Sequence, residues 1–262
     1  MPSNPEWSGS LSCLALTDAV VGALRTIATR EELVSLMEAI SREMGFRHYA
    51  LIHHDDLRSA RPDRVDLKDH PDAIVDRLIG QNRYRRDPVI RGCIFADGAF
   101  LWSALPRIIR LDRQDRASLE LGNREGLNEG ITVPYVKLGD CMGSCTFAGM
   151  RRSEHAHRYL GAAQMIGIFA FQAARRLLSS TPWVVPALPR LHPRPRDCVV
   201  LAGRGLSNKQ IARALSLTPR TVDGYMTEAR HLFDAHDRTE LVVSAVLAGE
   251  VGLHELRRGQ PE

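Results

Sequence analysis

Residues 202–226 read Ala-Gly-Arg-Gly-Leu-Ser-Asn-Lys-Gln-Ile-Ala-Arg-Ala-Leu-Ser-Leu-Thr-Pro-Arg-Thr-Val-Asp-Gly-Tyr-Met, a pattern typical of two short helices joined by a tight turn. Ser207 and Asn208 open the first helix, because short polar side chains accept hydrogen bonds from the first free amides. Thr218 caps the second helix, and Pro219 occupies its first position, where the missing N–H would have no helical partner anyway. The stretch therefore predicts a helix–turn–helix unit.

The second helix of this pair has one apolar and one polar face. Val222, Met226, Ala229 and Phe233 fall within a narrow sector at roughly 100° per residue, which predicts that this face is buried. The opposite, polar face is typical of a helix that enters the major groove of DNA, while the start of the preceding helix meets phosphates. The predicted DNA-binding residues are Ser207, Asn208, Lys209, Arg220, Thr221, Asp223, Gly224, Thr227 and Arg230.

Local charge favours this interpretation. Between Pro186 and Arg230 there are eight basic and three acidic residues, whereas the whole chain carries a net charge of only +4. Such a surplus suits phosphate binding with counterion release. A helical hairpin with a solvated basic face and no DNA partner is the alternative interpretation.

Length and composition are those of a globular protein with two domains. The 262 residues are 44% hydrophobic and 25% charged, and no apolar run approaches the roughly 20 residues that span a bilayer. The N-terminus lacks a signal-peptide pattern, so we expect a cytoplasmic location and no membrane partner. Five scattered cysteines argue against a disulfide framework, and we predict no metal site.

Taken in order, the chain predicts an α+β fold. Helices precede a strand over 46–53, a polar loop follows that strand, and the segments 71–81, 95–102 and 113–125 are expected to form a helix, a strand and a helix. Asp87-Pro88 is expected to break the helical pattern, because the residue before a proline avoids the helical region. Two strands over 130–138 and 142–148 and a long helix over 153–179 complete an α/β/α sandwich on a mostly antiparallel sheet. We expect residues 1–180 to form this domain, 181–195 a proline-rich linker, and 196–262 an all-α four-helix domain containing the helix–turn–helix.

With these features assembled, the chain resembles the LuxR family of quorum-sensing transcription regulators. That family joins an N-terminal domain that binds acyl-homoserine lactones to a C-terminal four-helix DNA-binding domain. The resemblance implies a homodimer on a palindromic double-stranded DNA site. The C-terminal residues that match the family pattern are Leu191, Arg194, Gly205, Ser207, Ile211, Ala212, Thr221, Val222, Arg238, Thr239 and Ala245.

In the N-terminal part, Asp87-Pro88 resembles the aspartate–proline of the family, whose carboxylate accepts the amide N–H of the ligand. Trp102 resembles a tryptophan whose indole N–H binds the lactone carbonyl. Gly130, Thr132 and Pro134 match one strand of the family, and Gly143 and Thr146 match its partner strand. The resemblance implies a small-molecule signal, an acyl-homoserine lactone or related amide, and no cofactor. The predicted ligand-binding residues are Asp87, Trp102, His70, Ile74, Leu78, Thr132, Ser144, Thr146 and Met142.

The sequence also departs from the family pattern. His70, Ile74 and Leu78 stand where the family usually has tyrosine, tryptophan and tyrosine, and loss of large aromatic rings reshapes a pocket. His70 either donates to a ligand carbonyl or is structural. Pro195 and Tyr225 replace a glutamate and a histidine of the DNA-binding domain.

Other classes of function fit less well. The run His53-His54-Asp55-Asp56 invites a metal or phosphoacceptor interpretation, but adjacent strand residues point to opposite faces and cannot easily converge on one ion. No arrangement of an activated nucleophile is visible, so we expect no enzyme. A regulator that is independent of ligand, or that senses something other than a lactone, remains the alternative.

Overall fold

The computed structural model describes residues 8–54, 64–76, 84–138, 141–150, 152–178 and 189–257. The backbone contacts divide the chain into two compact units, residues 1–182 and 183–262. Each unit is described by itself.

The first unit is built on a five-stranded sheet in the order β2-β1-β5-β4-β3, in which every neighbouring pair is antiparallel. The predicted antiparallel sheet is thereby confirmed. The strands are β1 His48–His53, β2 Asp66–Lys68, β3 Phe100–Leu101, β4 Gly130–Tyr135 and β5 Gly143–Ala148.

Helices cover both faces of this sheet. One face packs on the long helices at the two ends of the unit and forms the main core, in which Leu51, Val133, Phe147 and Phe171 are buried. The other face lies beneath shorter helices and a smaller core. The helices are α1 Ser8–Thr26, α2 Arg30–Glu43, α3 Asp72–Val75, α4 Pro88–Phe95, α5 Leu105–Ile108, α6 Arg113–Arg124 and α7 Leu160–Leu178.

Local side chains fix several helix ends. Thr29 and Glu32 form a capping box at the start of α2, and Asp112 and Asp115 form another at the start of α6. These boxes satisfy amides that have no partner inside the helix. Gly45 ends α2 with a φ of 82°, a left-handed conformation that favours glycine.

Two predicted segments of the first unit are wrong. The strand expected over 95–102 is confined to Phe100–Leu101, since Phe95 is the last residue of α4 and Trp102 begins a 3-10 helix. Asp87 caps that helix and Pro88 is its first residue, so this dipeptide starts a helix instead of interrupting one. The loop expected after β1 contains β2, which pairs with β1 from Asp66 to Lys68.

Two other segments differ in extent. The long helix expected over 153–179 begins as a 3-10 helix, Ser153–Tyr159, before α7. Of the helix expected over 71–81, residues 77–81 lie outside the described ranges.

The second unit is all helical. Its helices are α8 Pro193–Gly203, α9 Asn208–Leu215, α10 Pro219–Leu232 and α11 Arg238–Leu247. Helix α8 begins within the segment expected to be a linker. Pro193 and Pro195 are tolerated in its first turn, since the first four amides of a helix have no helical acceptor.

The turn between α9 and α10 follows the predicted chemistry. Ser216 adopts a left-handed φ of 54°, and the Leu217 amide donates to the Ala212 carbonyl at 2.8 Å. The hydroxyl of Thr218 then accepts from the Thr221 amide at the start of α10. Beneath this turn, Ile211, Val222, Met226 and Ala229 are buried with residues of α8 and α11.

Among the described helices, none combines the length and the apolar character that crossing a bilayer requires.

Candidate functional site

A cavity lies between the sheet of the first unit and helices α3, α4 and α6. It encloses about 760 Å3, counting the space at its mouth. Alternate residues of β1 and β5 form its floor, because successive strand side chains point to opposite faces. Its apolar lining includes Ile52, Ile74, Val89, Ile90, Leu119 and Leu127. Its polar lining consists of His54, His70, Asp87, Ser118, Ser144 and Thr146.

Asp87 lines the cavity and is also the N-cap residue of α4. Its Oδ1 accepts from the amides of Val89 at 2.9 Å and Ile90 at 3.1 Å. A carboxylate is favoured at this position, because the helix N-terminus carries partial positive charge. The cavity is thus lined by a fixed acceptor whose orientation is set by the backbone.

Trp102 lines the cavity beside its floor. Its indole N–H donates to Thr132 Oγ1 at 2.9 Å, and that oxygen lies 3.0 Å from Thr146 Oγ1. The indole N–H that the resemblance assigns to a ligand carbonyl thus donates to Thr132 in this structure. The ring lies over Gly130, where a Cβ would approach Trp102 Cε2 to 2.7 Å.

His54 follows β1 at one end of the cavity. Its Nε2 lies 2.9 Å from Ser144 Oγ, while its Nδ1 is buried and has no hydrogen-bond partner among the described residues. Burial, followed by the neighbouring His53, lowers the pKa of His54 from 6.5 to about 4. The ring is therefore neutral at physiological pH.

His70 precedes α3, and its ring lies 6.4 Å from that of His48, centroid to centroid. Its Nε2 is buried and likewise lacks a partner within the described part of the chain. Burial, with smaller effects from His48 and Lys68, lowers the pKa of His70 to about 4. The cavity thus contains two neutral histidines, each with one ring nitrogen left unpaired by the protein.

Six of the nine residues predicted to bind a ligand line the cavity: Asp87, Trp102, His70, Ile74, Ser144 and Thr146. Two do not line it. Thr132 is fully buried between Trp102 and Thr146, and Met142 packs beside the smaller core around Cys93 and Phe100. Leu78 lies outside the described residues.

The sequence interpretation missed His54. The alternation of β1 held the signal, since Ala50, Ile52 and His54 share the cavity face while His53 faces Phe171 in the main core. The same alternation places His53 and His54 on opposite faces of the sheet, where they cannot share a metal ion. Within the described ranges, no group of three or more histidine, cysteine, aspartate or glutamate side chains is arranged to hold a metal ion.

The second unit presents the predicted helix pair at its surface. Ser207, Lys209, Arg220, Asp223 and Gly224 are exposed. The remaining four residues of the predicted set are half-buried: Asn208, Thr221, Thr227 and Arg230.

Hydrogen bonds hold several residues of this surface in place. Arg238 donates to Asn208 Oδ1 at 2.8 Å, and Asn208 Nδ2 lies 3.4 Å from Asp223 Oδ1. Thr221 Oγ1 lies 2.8 Å from Thr218 Oγ1. At Gly224 a Cβ would have no heavy atom within 4 Å, so this part of α10 is open.

Comparison with known proteins assigns each of these two sites to a protein family. Residues 29–174 match the family described as the autoinducer binding domain, and residues 190–245 match the bacterial regulatory proteins of the luxR family. The first match contains the cavity, and the second contains the helix pair.

Two related proteins align with most of this chain. The chain is 23% identical over 247 residues to y4qH of Sinorhizobium fredii, described as an HTH-type transcriptional regulator, covering 92% of this chain and 72% of that protein. It is 20% identical over 236 residues to the transcriptional activator protein AnoR of Acinetobacter nosocomialis, covering 88% and 96%.

Solved structures share the fold. A crystal structure of Escherichia coli SdiA superposes with a TM-score of 0.51 at 17% identity, covering 90% of this chain and 98% of SdiA. A structure of SdiA in complex with octanoyl-rac-glycerol gives a TM-score of 0.51 at 18% identity, covering 95% and 97%. With the two family matches on its two units, the chain belongs to the LuxR-type transcription regulators, proteins that are not enzymes and that combine an autoinducer-binding domain with a helix–turn–helix DNA-binding domain.

Proposed function

We propose that this regulator binds an acyl-homoserine lactone or a related amide in the cavity and a palindromic operator as a homodimer. The observation that carries the proposal is the cavity itself, in which one carboxylate, three hydroxyls and two neutral histidines line a space that is otherwise apolar. Pockets of this kind bury the apolar part of a ligand and orient it with few polar groups.

Asp87 is the acceptor for the amide N–H of the signal. Its carboxylate already holds two backbone amides, so it cannot turn away from the cavity without losing the cap of α4. Ser144 and Thr146, neighbours on the cavity face of β5, supply hydroxyls within the same wall. Trp102 contributes its ring face, and the apolar residues accommodate the acyl chain.

On the DNA side, α10 enters the major groove. Arg220, Thr221, Asp223, Gly224 and Thr227 face bases, while the start of α9 and Arg230 meet the backbone. Gly224 permits the closest approach because no side chain projects there. In a dimer two such helices lie about one helical turn of DNA apart, which suits a palindrome. Binding of the signal orders the first unit and favours the dimer that binds DNA, in the cytoplasm.

The variant Asp87→Asn tests the proposal. Asparagine is as good a helix cap as aspartate, so the fold is retained, whereas the charge-assisted hydrogen bond to the amide is lost. We expect N-octanoyl-homoserine lactone to bind the variant roughly 10- to 100-fold more weakly than wild type. DNA affinity without ligand is expected to stay unchanged in fluorescence anisotropy. An unaltered ligand response in this variant would refute the assignment of the cavity.

A signal without a lactone is the second candidate. The indole N–H of Trp102 is already donated to Thr132, and Ile74 stands in the cavity where the family usually has an aromatic ring. SdiA, which shares the fold, has a solved structure in complex with octanoyl-rac-glycerol, a molecule with neither amide nor lactone. Mass spectrometry of small molecules carried by the purified protein separates these candidates, and recovery of none favours a regulator that needs no ligand.

A further inference from the structure

Two ring nitrogens in the cavity are left unpaired by the protein. His54 Nδ1 and His70 Nε2 are both buried, and no described residue forms a hydrogen bond with either. Both side chains line the same cavity. Neither nitrogen is reached by solvent in the structure, so each lacks a hydrogen bond that a polar group of a ligand in the cavity would supply.

Neither histidine offers a charge to the ligand. Burial lowers the pKa of each to about 4, so both rings are neutral near pH 7. A neutral imidazole has one donor and one acceptor nitrogen. The group that pairs with it must therefore be uncharged and polar, because a buried ion without a counter-ion is strongly disfavoured.

Nδ1 of His54 can be a hydrogen-bond donor or an acceptor, because the partner of Nε2 is a hydroxyl, which can itself donate or accept. If Ser144 donates to Nε2, Nδ1 carries the proton and is a donor. If Nε2 donates to Ser144, Nδ1 is an acceptor. The 2.9 Å contact between Nε2 and Oγ is compatible with both. A hydroxyl on the ligand pairs with either tautomer, and a carbonyl selects the first.

The two nitrogens meet different parts of a ligand. His54 follows the last residue of β1, whereas the His70 ring lies beside His48, the first residue of that strand. Since a strand rises about 3.3 Å per residue, one oxygen atom cannot serve both. The polar groups of the ligand must be distributed along its length.

We propose that His54 and His70 are specificity-determining residues that select an uncharged ligand with hydroxyl or carbonyl oxygens on its acyl part, and that disfavour a plain saturated chain. The inference rests on the proposed function, because it assumes that the acyl part of an amide signal occupies this cavity. The physical basis is that a site built to pair polar groups rejects an analogue that lacks them.

The test compares three probes on the full-length protein by titration calorimetry. These are the homoserine lactones of octanoyl, 3-hydroxyoctanoyl and 8-hydroxyoctanoyl chains, which differ only in one hydroxyl and in its place. We expect at least one hydroxylated probe to bind wild type about 10-fold more tightly than the octanoyl probe, which corresponds to about 1.4 kcal/mol. His54→Leu or His70→Leu is expected to abolish that preference while leaving the octanoyl probe bound equally well or better.

Matched glutamine variants and DNA binding serve as controls. His54→Gln and His70→Gln keep a hydrogen-bonding group in a similar volume and are expected to retain part of the preference. Affinity for DNA without ligand is expected to be the same in all variants. Equal binding of all three probes by wild type, or a preference that survives both leucine variants, overturns the inference. Binding of no probe overturns the proposed amide signal and this inference together, whereas an Asp87→Asn variant with normal affinity for every probe contradicts the amide site alone.

Discussion

The cavity of the first unit and the helix pair of the second keep their polar groups in opposite surroundings. In the cavity, His54 and His70 are largely removed from solvent, and burial places their pKa values far below 6.5. On the helix pair, Lys209 and Arg220 are exposed to solvent. Electrostatic and hydrogen-bonding effects are large where water is excluded and small where water and salt screen them. Single substitutions in the cavity should therefore have large effects on stability or binding. Single substitutions on the helix pair should each have a small effect, and these effects should add.

The largest effect is expected from pH. Between pH 6.5 and about 4, His54 and His70 take up protons in the unfolded chain but not in the folded one. The free energy of unfolding therefore falls as the pH falls through this window, and is insensitive to these two groups above it. Each histidine contributes up to about 3 kcal/mol to the loss.

Urea unfolding of the full chain at pH 7.5, 6 and 5 measures this loss. His54→Leu and His70→Leu should each flatten the profile, because the variant has one titrating group fewer. His236→Ala is the matched control on the second unit. That histidine is exposed beside Glu240, which raises its pKa, so its removal should not flatten the decline. A wild-type profile no steeper than those of the leucine variants would contradict the buried, neutral state of the cavity histidines.

The next effect concerns the glycine beneath Trp102. A Cβ at Gly130 would lie 2.7 Å from Trp102 Cε2 and 3.0 Å from the Phe147 carbonyl oxygen. Gly130→Ala is therefore expected to destabilise the protein by about 1–3 kcal/mol and to shift the indole. Chemical denaturation measures the first effect, and weaker binding of N-octanoyl-homoserine lactone reports the second. Unchanged stability would mean that the indole moves freely over the strand.

Two helices that begin with a proline show what could and what could not be predicted from the sequence. Thr218-Pro219 was correctly interpreted as a helix cap followed by the first helical residue, because periodic apolar residues follow it. Asp87-Pro88 has the same chemistry but is interpreted as a break, because the residue before a proline usually avoids the helical region. The helix was missed for that reason, although its cap was visible.

The remaining features of the cavity depend on contacts between residues far apart in the sequence, so they could not be predicted from it. The alternation along β1 predicts that His54 and His53 point to opposite faces, but not that His54 meets Ser144, 90 residues further along the chain. Likewise, the bond between Trp102 and Thr132 depends on the pairing of β3 with β4. The exposure of Arg220, Asp223 and Gly224 was easier to predict, because it depends on the local period of one helix.

A smaller effect is expected at Gly224, where the second unit should gain stability and lose function. A Cβ there meets no heavy atom within 4 Å, so Gly224→Ala should raise stability by up to about 1 kcal/mol through helix propensity. If α10 approaches bases closely at this point, the added methyl group should weaken DNA binding. Gly22→Ala is the matched control, since Gly22 also lies inside a helix with open space around it. Both variants should be stabilised, and only Gly224→Ala should bind DNA less well. Equal DNA affinities would remove Gly224 from the recognition surface.

The smallest change in stability is expected at Lys209, on the exposed start of α9. Lys209→Ala should alter the free energy of unfolding by no more than about 0.5 kcal/mol, because the side chain is solvated. As a phosphate contact it should nevertheless weaken binding to all DNA sequences alike, and lower the slope of log affinity against log salt by about 1. Arg213→Ala removes another exposed cation of the same helix that lies outside the predicted contact set. An equal fall in slope for both variants would indicate a diffuse positive field instead of a defined contact. Arg220→Ala should behave differently from either, since a base contact in α10 affects sequence preference more than the salt slope.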